Sequence, residues 1–136
     1  MKEIWNWTQT AFAGLGALLG GCLGGLDGFL YALIAFVVVD YITGVLRAIV
    51  EKKLSSRIGA HGITKKVAIF LVVGIGHLID AYLINGTGAP LRTAIIFFYI
   101  ANEGLSLLEN ATAIGLPVPE KLKETLAQLH GKDDVK

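Results

Sequence analysis

GFLYALIAFVVVDYITGVLRAI, residues 28–49, decides the fold. Twelve uncharged residues precede Asp40, and only Asp40 and Arg47 interrupt the run. At about 1.5 Å per residue, a helix of this length crosses a hydrocarbon core about 30 Å thick. Three more stretches share this character: Ile4 to Leu26 has no charge, Val67 to Ile84 contains His77 and Asp80, and Thr93 to Leu108 contains Glu103. The 136 residues are 54% hydrophobic and 17% charged, more apolar than a soluble domain of this size. The expectation is an all-α integral membrane protein with a transmembrane helical domain over 1–110 and a cytoplasmic amphipathic tail over 111–136. About four apolar helices are expected, or three if the first is interfacial or re-entrant.

The charges set the orientation. EKKLSSRIGAHGITKK, residues 51–66, places Lys52, Lys53, Arg57, Lys65 and Lys66 between the second and third apolar runs. The positive-inside rule makes this a cytoplasmic loop, within which Gly-flanked His61 reads as a solvated turn residue. NGTGAPLR, residues 85–92, carries only Arg92 and reads as a short external turn. Lys121, Lys123, Lys132 and Lys136 follow the fourth run, which puts the C-terminus in the cytoplasm. From Pro117-Val-Pro119 onward, Val118, Leu122, Leu126 and Leu129 recur at helical spacing, with Pro119 suited to a first turn. That predicts a short amphipathic helix, either on the membrane or against a neighbour.

The first run is a retained membrane helix rather than a signal peptide, because a second long apolar run follows at once. If it spans, the N-terminus is cytoplasmic; if it does not, the N-terminus is outside. Trp5 and Trp7 fit interfacial anchors in both cases. Within AFAGLGALLGGCLGGL, residues 11–26, two ladders of small residues step by four: Gly16, Gly20, Gly24 and Ala13, Ala17, Gly21, Gly25. With Gly14 they cover one side of a helical wheel, and Phe12, Leu15, Leu18, Leu19, Leu23 and Leu26 cover the other. In lipid, close approach across small residues is a main route to helix association. The smooth side is therefore a packing face, within one subunit or between subunits.

Asp40, Asp80 and Glu103 lie in otherwise apolar runs. An ionised Asp at the bilayer centre costs about 2.5 to 3.5 kcal/mol, whereas each Leu, Ile, Phe or Val returns about 0.3 to 0.6. These acids need protonation, polar partners or water. Neighbouring polar positions agree: Asp40, Gly44 and Arg47 share a face, His77 and Asp80 lie one turn apart, and Asn102, Glu103, Ser106, Glu109 and Asn110 form a stripe. Such groups either fix the fold by hydrogen bonding between helices or line an aqueous path. Arg47 is also placed to reach the cytoplasmic surface along its own stem.

Other chemistry is not written in the sequence. Cys22 is a lone cysteine in an apolar run, so an internal disulfide is excluded and it reads as a small packed residue. The formal charge of +1 is spread in short clusters, which argues against a nucleic-acid-binding face. No metal-ligand cluster, Walker loop, nucleophile elbow or dinucleotide fingerprint is present, so neither an enzyme, a cofactor nor a metal is expected.

From about Asp40 to Leu126 the chain resembles the holins of the toxin-secretion and phage-lysis family. The resemblance rests on DYITG at 40–44, on the loop with Ser55, Ser56, Gly59, Gly62 and Lys65, on Asp80, on NEGLSLLEN at 102–110, and most specifically on ENATAIGLPVPEKLKE at 109–124. It implies a homo-oligomer of the bacterial cytoplasmic membrane that forms lesions, letting a muralytic endolysin or a toxin escape without binding it directly. The glycine-rich first helix departs from that pattern. A small ion channel or transporter subunit, or an accessory membrane-assembly subunit, would explain the same acids without lysis.

Overall fold

The computed structural model describes residues 1–131 and the side chains of residues 1–128. Five α-helices follow in order: α1 (Lys2–Cys22), α2 (Gly28–Val50), α3 (Ser56–Leu78), α4 (Pro90–Ile114) and α5 (Glu120–Gly131). α3 continues without a break into a wider π-helical segment, Ile79–Ile84. Among the described residues no strand occurs. Among the described residues three helices are long and apolar enough to cross a membrane: Gly28–Val50, Ser56–Ile84 and Pro90–Ile114. α1 is not one of them, and its first half carries Lys2, Glu3, Asn6, Thr8, Gln9 and Thr10. The three-span alternative is the one the fold supports.

Local chemistry explains the helix ends. Asp27 caps α2 by accepting from the Leu30 N–H at 2.9 Å. Ser55 caps α3 in the same way, accepting from Ile58 N–H at 3.2 Å. The basic stretch 51–66 is therefore not a loop: only 51–55 is non-helical, and Arg57, His61, Lys65 and Lys66 stand on α3. Gly59 and Gly62, which suggested turns, instead admit the Tyr41 ring of α2; a Cβ at Gly62 would lie 3.4 Å from that ring.

α4 starts at Pro90 rather than Thr93, with the proline in its first turn. Its N-cap, Ala89, offers no side chain to the free N–H groups, so the Asp80 carboxylate supplies the missing acceptors. The far end runs past residue 110, where the spanning domain was expected to stop. Gly115 there takes the left-handed conformation, φ 101°, and Leu116 N–H closes on Ala111 O at 3.0 Å.

α2 and α4 share the most extensive interface, while α3 meets α4 less and α2 at few points. Leu30, Leu33, Val37, Ile69, Val73 and Ile96 form the buried core, all in the half of the bundle nearer Asp27. α1 projects from the bundle without extended packing, and its residues up to Leu19 are exposed. α5 begins at Glu120, so Val118 precedes it, and it folds back along α4 with Leu126 buried; the Leu129 side chain and Lys132 and Lys136 lie outside the described residues.

Candidate functional site

The intramembrane acids lie in two separate polar networks. At the end where α1 leads into α2, Arg92 is 3% exposed and every guanidinium nitrogen donates. Nε donates to Leu23 O at 2.5 Å, Nη1 to Asp27 Oδ2 at 2.7 Å, and Nη2 to Gly25 O at 2.9 Å and to Asp27 Oδ1 at 3.3 Å. Asp80 accepts from the Leu91 and Arg92 backbone N–H groups at 3.1 and 2.7 Å. Three places are thus tied together: the α1–α2 turn, the start of the π segment and the first turn of α4. The Arg92 guanidinium holds the Asp27 carboxyl below its ordinary value of 3.8, with partial burial opposing the shift. Arg92, expected as an external turn residue, is instead the centre of a clamp.

This clamp also corrects the glycine ladders. α1 ends at Cys22, so Gly24 and Gly25 are off the helix, with φ of +88° and +103°. A Cβ at Gly24 would meet Arg92 Nε at 2.6 Å and His77 Nδ1 at 2.8 Å, so the glycine leaves the room these side chains occupy. Gly20 is covered by Leu26 of its own chain, whereas Gly14, Gly16 and Gly21 have open space beside them. Ala13 and Ala17 are exposed on the same projecting helix, as is Cys22, which is not buried by packing.

The second network sits midway along the spans. Asp40 and Glu103 are 6% and 5% exposed, and Lys66 bridges them: Nζ donates to Asp40 Oδ2 and to Glu103 Oε2 at 2.6 Å each. Asn110 Nδ2 donates to Asp40 Oδ1 and Thr43 Oγ1, both at 3.2 Å. Arg47 reaches Asn110 Oδ1 at 3.5 Å and pairs with Glu51 at 3.1 Å. One ammonium thus gives each carboxylate a hydrogen-bond donor, and Asp40 gains a second from Asn110, while a single positive charge faces two acidic groups.

The network forms one wall of a cleft of about 870 Å³ between α2, α3 and α4. Asn102, Ser106 and Glu109 of the expected stripe line the cleft, as do His61 and Lys65; Asp80 and His77 belong to the other end. The cleft runs from the 51–55 turn, where Leu54 and Ile58 stand at its rim, inward to Ile69, where the apolar core begins. Water entering it meets charged and amide groups as far as mid-span and then a packed apolar plug. Lys66, like Arg92, is drawn into the bundle although its sequence position suggests a connection between helices. Its position after Ser55, a residue type that caps helices, and directly before an apolar run was the available clue. Among the described residues no group of three or more His, Cys, Asp or Glu side chains is arranged to hold a metal ion.

Comparison with known proteins gives a family. The profile of the bacteriophage holin family matches residues 17–131. The chain is 44% identical over 132 residues to an uncharacterized 14.9 kDa protein of Clostridium perfringens, covering 97% of this chain and 99% of that one. It is 46% identical over 113 residues to an uncharacterized protein of Listeria monocytogenes, covering 83% and 79%. A protein of Bacillus phage phi105 named as a probable holin is 37% identical over 109 residues, covering 79% and 78%. No solved structure matches the chain.

Proposed function

Because the chain belongs to the bacteriophage holin family, we propose that it assembles with copies of itself in the bacterial cytoplasmic membrane and opens lesions there. A wall-degrading endolysin, or a toxin, leaves the cell through them without being bound. The basic 51–55 turn and the C-terminus face the cytoplasm, by the positive-inside rule. No catalytic residue takes part in this activity.

The observation that carries the reading is the half-open polar cleft. A single subunit offers no continuous water path, because Leu30, Leu33, Val73 and Ile96 fill the rest of the bundle. Nor is the cleft mouth, with exposed Asn102 and Glu109, a surface suited to lipid. Association that turns these polar surfaces toward one another gives them shelter and water together. The projecting α1 supports the same reading, since its open small residues admit a close second helix.

The direct test is inducible expression in bacterial cells with and without a cytoplasmic endolysin, following membrane potential and culture lysis. Collapse of the potential in both strains, with lysis only where endolysin is present, is expected. A maintained potential at high membrane levels of the protein overturns the proposal. Gly16→Leu probes the assembly face better than a change at Gly20, because Gly16 touches nothing in its own subunit and Gly20 is already covered by Leu26. Gly16→Leu is expected to reduce cross-linked oligomers several-fold while insertion is retained.

A further inference from the structure

The seat of α5 conflicts with its charge. Leu126 is buried, and its side chain lies 3.1 Å from where a Gly104 Cβ would stand, with the Phe36 ring of α2 at 3.0 Å from the same point. Gly104 is 14 residues into α4 and Phe36 is 8 residues into α2, roughly 21 and 12 Å from the clamp end at about 1.5 Å per residue. Phe36 is also roughly 21 Å from Val50, at the same rise. Both residues therefore lie well inside a core about 30 Å thick. Yet α5 brings exposed Glu124 to within about 3 Å of this level along its axis, with exposed Glu120 and Lys121 and the 42%-exposed Lys123 about one to two turns nearer the Ile114 end, Lys123 lying 3.9 Å from Glu120.

Lipid does not tolerate that arrangement. On insertion scales one ionised side chain at the bilayer centre offsets several leucines, and among the described side chains α5 offers Leu126 buried and Leu122 half-exposed. Nor is the contact an accident of one residue: Gly104 is the α4 position where a side chain would collide, and Ala101, Leu108 and Ala111 are buried at helical spacing around it. On a wheel this seam lies about 100° or more from Glu103, Ser106 and Asn110, so the α5 seat is separate from the polar cleft. The seat itself is apolar, and the conflict with lipid comes from the charges that α5 carries beside it.

We infer that the α2–α4 face bearing Phe36 and Gly104 is bathed in water rather than lipid, and that α5 is a removable cover over it. The inference needs only that α2 and α4 span the membrane. Joined to the reading as a holin, it makes this face a wall of the lesion and α5 the segment that leaves when the lesion opens.

The test uses full-length protein in membrane vesicles, with Cys22→Ser to remove the exposed native thiol. A small, charged, water-soluble methanethiosulfonate is applied from both sides to a chain carrying Phe36→Cys. Reaction is expected to be slow, and at least about tenfold faster once Leu126→Asp unseats α5, each tenfold being the effect of shifting the seated fraction by an order of magnitude. A cysteine at exposed Leu71, on α3, is expected to stay unreactive in both backgrounds. Equal reactivity with and without Leu126→Asp, whether fast or absent, overturns the inference. A second arm does not depend on unseating: Gly104→Cys with Leu126→Cys is expected to form a disulfide under mild oxidation, and failure to form it overturns the seat. Labelling as expected in a protein that leaves vesicles sealed counts against lesion formation and leaves the aqueous face standing.

Discussion

The two halves of the same three-helix bundle are built on different principles. Toward Asp27, α2, α3 and α4 close on Leu30, Leu33, Val37, Ile69, Val73 and Ile96, and a guanidinium that donates from every nitrogen ties off the end. Toward Glu51, α3 diverges and an ammonium shared by two carboxylates spans the gap. In the first half the ions finish a packed core. In the second they replace one. Apolar packing is tolerant of its neighbours in lipid, because acyl chains are as apolar as leucine, whereas a buried ion set is not. The polar half is thus the part whose integrity depends on each of its ionic partners.

The largest expected effect comes from breaking the polar half at its centre. Lys66→Met leaves Asp40 and Glu103 facing each other without a cation, and loss of one partner from a buried ion set costs about 3 to 5 kcal/mol. The variant is expected to accumulate poorly in membranes and to melt earlier in detergent. Adding Asp40→Asn and Glu103→Gln is expected to restore most of the loss. If Lys66→Met alone melts like the parent chain, the bridge is not what holds this half together.

The packed half is expected to be less sensitive at its own ionic residue. Arg92→Gln leaves Leu23 O and Gly25 O short of donors, but its carboxylate partner Asp27 keeps access to water, with 45% of its side chain exposed. About 2 kcal/mol is expected from the unsatisfied buried groups. Faster amide exchange confined to the α1–α2 turn and the first turn of α4 is the accompanying signature. Exchange spreading evenly through the bundle would erase the distinction between the halves.

Where the halves meet, Gly62→Leu drives a side chain into the Tyr41 ring, which already lies 3.4 Å from the position of a Cβ. Overpacking of this kind costs about 1 to 3 kcal/mol. Because α2 and α3 touch at few other points, the expected response is a wider cleft rather than a disrupted core. Greater reactivity of a cysteine at Val45 on the cleft wall, with a cysteine at Val73 in the core unaffected, would show it.

Hydropathy exposes these halves unequally. α2 is legible almost to the residue, Gly28–Val50 against the expected 28–49, because a single apolar run is bounded by a capping Asp27 and a basic turn. α3 begins eleven residues before Val67, since its first turns are glycine-rich and charged and resemble a loop to any measure of apolarity. That the acids need shelter is legible too. Their partners are not, as they lie 26, 37 and 65 residues away along the chain: Lys66 from Asp40, Glu103 from Lys66, and Arg92 from Asp27. Lys66 and Arg92 read as helix boundaries, because a charge at the edge of an apolar run marks the water interface in most spans. Here the fold draws both inward to meet acids on other helices.

The smallest expected effect separates the halves by pH. Asp27 has a folded-state pKa below its ordinary value of 3.8, so its contribution to stability is complete above that value and fades as pH falls through the lower, folded one. With the side chain partly exposed, the contribution is under about 1 kcal/mol. Melting in detergent from pH 6 to pH 3, at roughly one-unit steps around this range, is expected to show the parent and Asp27→Asn converging at the acid end and differing slightly above it. The clamp's other bonds, from Arg92 to Leu23 O and Gly25 O, do not titrate and persist throughout. A gap between the two chains that is independent of pH would mean that Asp27 acts through its cap on Leu30 N–H and its shape, not through its charge on Arg92.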